Sequence, residues 1–154
     1  MSSMPGLLQR LSTVLAEVMS VAEEEDGALR ITSEGSVALV RVVAIADDLE
    51  MVSLTQPLAW DLPLNNKIRE RVAGHASRTM LGSVVLVEKV AEGPATPVNG
   101  TGPKAATRKG STKKVADVML RYNFPAAGLT DDALRTLILM VLATGADVRR
   151  DLTS

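Results

Sequence analysis

Apolar residues along this chain change their period in one fixed order: a helical stripe, three short strand-like runs, a second helical stripe, a strand, a stretch with no period, another strand, and a very apolar helix. That order limits the fold more than any single motif does. It predicts a small α+β domain of order α-β-β-β-α-β-β-α, a five-stranded, mainly antiparallel sheet with flanking helices. It also implies more apolar surface than one core hides.

Leu7, Leu8, Leu11, Val14, Leu15, Val18 and Met19 recur at helical spacing, which predicts a first helix from Gly6 to about Ala22. Glu23 to Asp26 oppose its macrodipole, and Gly27 supplies a stop. Leu29 and Ile31 then alternate with Arg30 and Thr32. Val37 to Ala46 is apolar apart from Arg41, the pattern of a central strand covered on both faces. Asp47-Asp48 marks a turn, and Leu49 to Thr55 completes a three-stranded meander. Pro57 and Pro63 bracket an expected loop with Trp60 as its apolar anchor. A second helix starts near Leu64 or Asn65 and buries Ile68, Val72, Ala76 and Met80. The fourth strand runs from Gly82 to Val90 and the fifth from Val115 to Phe124. Between them, residues 93–112 are rich in Gly, Pro, Thr and cations and have no apolar period. Such a composition predicts a flexible insert within a single domain spanning 1–154.

In the last helix, Leu134, Leu137, Ile138, Val141 and Leu142 form a core stripe, while Leu139 and Met140 lie outside it. A helix this apolar needs more than one covered face. Either another part of the chain covers it, or a partner does. The partner reading makes Met119, Leu139 and Met140 the outward contacts of a homodimer or of a bound peptide.

Composition narrows the chemistry. The 154 residues include no cysteine, which removes disulfides and thiolate catalysis and fits a reducing compartment. The longest apolar run, Leu137 to Ala143, is far short of a membrane span. No signal peptide is evident, so the expected location is the cytoplasm. His75 is the single histidine, and no hydroxyl or thiol is paired with it in sequence. No set of metal ligands converges, and the Gly-rich insert lacks the ending of a phosphate loop. Asp47-Asp48 and Asp131-Asp132 suit a turn and a helix start. Catalytic residues, metal and cofactor are therefore all expected to be absent. Lys67, Arg71 and Arg78 share one helical face and are candidates for an anion contact. With the basic insert, they support an alternative reading, a regulator that touches nucleic acid through phosphates. A net charge of −1 supplies no global attraction for that partner.

Several segments, taken in order, resemble a known family: Val37-Ala38-Leu39-Val40-Arg41-Val42, Met51-Val52-Ser53-Leu54-Thr55, Trp60-Asp61-Leu62-Pro63 and Leu81-Gly82-Ser83-Val84-Val85-Leu86. The fullest runs from Val118-Met119-Leu120-Arg121-Tyr122-Asn123-Phe124-Pro125 to Gly128-Leu129-Thr130-Asp131-Asp132-Ala133-Leu134. Together they resemble the type III secretion chaperone-like fold, and more narrowly its bacterial YbjN-type branch. The resemblance implies a small, non-enzymatic cytoplasmic protein that dimerises. It also implies exposed apolar surface that holds a partner polypeptide in extended form, or a regulatory role. The chain departs from the family pattern in its long insert and in being only mildly acidic.

Overall fold

The computed structural model describes residues 6–90 and 114–153. The elements are α1 (Leu7–Ala16), β1 (Ser20–Glu23), β2 (Leu29–Ser33), β3 (Ser36–Ala46), β4 (Leu49–Pro63), α2 (Asn66–Arg78), β5 (Ser83–Val90), β6 (Lys114–Pro125) and α3 (Asp131–Thr153). The six strands form one open sheet in the order β1-β2-β3-β4-β6-β5, every neighbouring pair antiparallel. The α+β class is as the sequence implied, but the sheet has six strands and not five. The insert expected at 93–112 lies outside the described residues.

The additional strand comes from the end of the expected first helix. α1 stops at Ala16, where the N–H groups of Val18 and Met19 both donate to the Leu15 carbonyl at 3.0 Å. No basic residue supports its last turn, and Glu23, Glu24 and Glu25 would oppose a longer helix. Ser20 to Glu23 instead pair with Thr32 to Leu29, placing Val21 beside Ile31.

β4 runs through both prolines, so the segment expected to be a loop is strand. Its register shifts between Pro57 and Ala59 and again between Ala59 and Leu62, the kind of irregularity that accommodates proline within a ladder. Trp60 lies within the second shift and is 57% exposed, so it anchors nothing in the core. α2 buries only Ile68 and Val72. It ends at Arg78, so Ala76 stays exposed and Met80, beyond the helix, is 88% exposed.

One apolar core joins the sheet to the helices. Leu7, Leu11, Val14 and Leu15 of α1 and Leu134, Ile138, Val141, Leu142, Val148 and Leu152 of α3 meet alternate strand residues, among them Ile31, Val40, Leu54, Val84, Val118 and Leu120. Burying each such aliphatic side chain contributes about 1.5–3 kcal/mol. The residues between these on the strands point the other way, and no described helix covers them. That explains β3, which was expected to be covered on both faces. Ser36, Ala38 and Val40 are buried, whereas Val37, Val43 and Ile45 are exposed.

α3 starts where Thr130 Oγ1 accepts from Ala133 N at 3.0 Å, with Asp131 and Asp132 in the first turn. It continues past Gly145 to Thr153. At Gly145 the helix closes onto β4, because a Cβ there would overlap the carboxamide of Gln56. Gln56 Nε2 donates to the Leu142 carbonyl at 3.5 Å, and its Oε1 is buried with no partner among the described residues.

Candidate protein-binding face

The strand registers lay out the bare face of the sheet row by row. One row crosses five strands as Arg30, Leu39, Thr55, Arg121 and Ser83. Beside it on one side run Pro57, Met119 and Val85, with Thr32 and Val37 further out; on the other run Arg41, Ser53 and Asn123, then Val43 and Met51. Aliphatic side chains and methionines thus surround a few arginines, and there are few aromatics to break a flat surface.

The arginines differ in their partners. Arg30 pairs with Glu24 at 3.2 Å, and Arg41 with Asp26 at 2.8 Å. The Arg41 guanidinium, helped by the N–H of Ala28, holds the Asp26 carboxyl below the ordinary carboxylate value. Arg121 is exposed and makes no ion pair among the described residues. It borders a shallow depression of about 430 Å³, also lined by Gly82, Ser83, Val85, Tyr122 and Asn123. The depression forms because β5 begins at Ser83, opposite Arg121, and leaves the next residues of β6 unpaired on that side. Gly82 turns the chain into β5 at φ 87°, and a Cβ there would sit 3.0 Å from both the Arg121 carbonyl and Leu120 Cδ2.

At the far end of the same face, Lys89 Nζ lies 2.8 Å from Asp61 Oδ1 and 3.1 Å from Asp117 Oδ2. Asp117 is buried and also accepts the N–H of Asp61 at 2.9 Å. Asp61 holds a left-handed φ of 55°, set by the second register shift in β4. Trp60 lies over Lys89, with Nζ 5.9 Å from the ring centroid. Asp61 first and Asp117 second raise the Lys89 pKa above its ordinary value. The indole, expected to anchor a loop, is thus a feature of this face.

The residues singled out in the sequence fall in three places. Met119 is half-buried on the bare face. Leu139 and Met140 belong to the helical layer on the opposite side. Leu139 is half-buried and lines a depression of about 220 Å³ with Ser33, Ser36, Leu142 and Arg150, while Met140 is 49% exposed. Those three therefore do not form one surface. On α2, Lys67 is exposed, but Arg71 donates to the Asp151 carbonyl at 3.2 Å and Arg78 turns to His75. Sequence reasoning missed Arg121 because it reads as one polar residue in an alternating strand, and only the register shows it among Thr55, Met119 and Ser83.

His75 joins α2 to the end of α3. Its Nε2 lies 2.7 Å from Asp151 Oδ2, and Arg78 Nη2 is 3.4 Å from its Nδ1. Guanidinium only donates, so Nδ1 accepts and Nε2–H donates to the carboxylate. His75 chiefly, with Arg71 and Arg78 adding positive charge, holds Asp151 below the ordinary carboxylate range. One ring nitrogen thus docks α2 on α3, and the other is engaged within α2. Among the described residues, no group of three or more His, Asp or Glu side chains is arranged to hold a metal ion. No described helix is long and apolar enough to cross a membrane.

No protein-family model and no curated protein sequence matches the chain.

Proposed function

We propose that this chain is a non-enzymatic, homodimeric binding module that holds an extended polypeptide segment against its bare sheet face. The supporting observation is Arg121, an exposed cation without an ion-pair partner among the described residues, set among Met119, Val85, Leu39 and Thr55. An extended segment presents side chains alternately, so one that alternates aliphatic and acidic residues matches this surface in shape and charge. The notch beside β6 gives such a segment unpaired backbone to bond with. This reading agrees with the chaperone-like, YbjN-type resemblance in the sequence and with a cytoplasmic setting for a chain that has no cysteine.

Selection from a random peptide display library against the immobilised full chain tests it. Sequences that alternate aliphatic residues with Asp or Glu are expected, and Arg121→Glu should abolish their retention. Recovery of no consensus, or of one indifferent to Arg121→Glu, would remove this face as the binding site.

A further inference from the structure

The outer edge of β3 is half covered. β2 pairs with it only as far as Leu29 opposite Val40. From Arg41 to Ala46, β3 bonds to β4 on one side, and no described strand lies on the other. Arg41 is still tethered to the β1–β2 turn through Asp26. From Val42 onward the strand runs on past β2, over about 17 Å at the usual strand rise.

Apart from a register shift against β4 between Ala44 and Ala46, this overhang has none of the devices that normally protect an edge. The β5 edge carries Glu88 and Lys89, and β1 has only four residues. Val42-Val43-Ala44-Ile45-Ala46 contains no charge, no proline and no glycine. Val43 and Ile45 are 46% and 52% exposed, and Ala44 and Ala46 are exposed as well. An unpaired, aliphatic strand edge is a template for another strand.

Charge determines which strand. The overhang is basic at its start, Arg41, and acidic at its tip, Asp47 and Asp48. A second copy of the same segment running antiparallel brings the acidic tip of each copy beside Arg41 of the other. A parallel copy would bring like charges together. Guanidinium has five donors, so Arg41 serves Asp26 and an incoming carboxylate together.

We infer that two copies of this chain pair antiparallel through the Arg41–Asp48 overhang of β3, joining their sheets edge to edge about a twofold axis. The inference rests on the homodimer half of the function proposed above and supplies its interface. In such a dimer both helical layers lie on the same side, and the two bare faces run into one continuous surface.

Light scattering of the full chain over a range of concentrations tests the interface, with circular dichroism as a check on folding. The wild-type chain is expected to be a dimer. Val43→Asp, at an exposed site, should yield a folded monomer. Arg41→Glu should weaken dimerisation on the order of tenfold or more, and adding Asp47→Arg and Asp48→Arg to it should restore the dimer. A wild-type chain that stays monomeric would overturn both the homodimer and this interface. A dimer insensitive to Val43→Asp and to the charge reversal would overturn the interface alone, leaving homodimerisation and the peptide site standing.

Discussion

Gln56 faces the core from a strand whose other inward residues are aliphatic, and it is only 1% exposed. Its amide occupies the space that Gly145 leaves by having no side chain. Gly145→Ala is therefore expected to destabilise the fold by about 1–3 kcal/mol through overpacking, outweighing the roughly 1 kcal/mol that alanine gains in a helix. In a Gln56→Ala background the same change should become neutral or stabilising, and urea denaturation of all four proteins measures that coupling. Lys89 gives a second test. Its pKa is raised, so its contribution is complete below the ordinary value of 10.5 and is lost as pH rises through the higher folded value. Lys89→Met should lower the unfolding midpoint at neutral pH, and the difference should close above about 10.5. Neither contact was legible in the sequence. Gln56 and Gly145 lie on different elements, and Trp60 read as the apolar anchor of a loop because two register shifts in β4 cannot be seen without β6 beside it.

At the level of elements, the reading from periodicity went further. The positions of α2, β2, β3, β5, β6 and α3 follow from spacing, turns and caps, because each of those signals is local. Asn65 Oδ1 accepts from Ile68 N at 2.8 Å, and Thr130 Oγ1 does the same for α3. Asn65→Ala and Thr130→Ala should each cost about 0.5–2 kcal/mol in thermal or urea unfolding, additively, since the two caps belong to different helices. The failures occurred where a local signal competes with pairing. Val18 to Ala22 suit a helix by apolar spacing, yet Val21 gains a neighbour in Ile31 by joining the sheet as β1. Pro57 and Pro63 suit a loop, yet the register shifts let β4 carry both.

For the molecule as a whole, the one-sided placement of the helices decides most of what is exposed. The sequence showed a surplus of apolar surface and located it on the last helix, at Leu139 and Met140. Among the described residues, exposed aliphatic side chains lie chiefly on the bare sheet face and the β3 overhang, because the three described helices cover one side only. Polar contacts tie the helices to one another: ion pairs join Arg10 with Asp131 and Arg135 with Glu17, and His75 hydrogen-bonds Asp151. Asp26 and Asp151 both have depressed pKa values, so their contributions are complete above the ordinary 3.8 and are lost as pH falls through their lower folded values. Acid titration of the unfolding midpoint should show Asp151→Asn below the wild type at neutral pH, the gap closing beneath about 3.8.

The chain has a single tryptophan, and it stands at the surface above Lys89 instead of in the interior. Its ultraviolet emission is therefore a built-in optical gauge of that exposed side. A molecule settling over the indole would shift the colour and brightness of the signal, while loosening of the aliphatic interior would leave it largely dark to the observer.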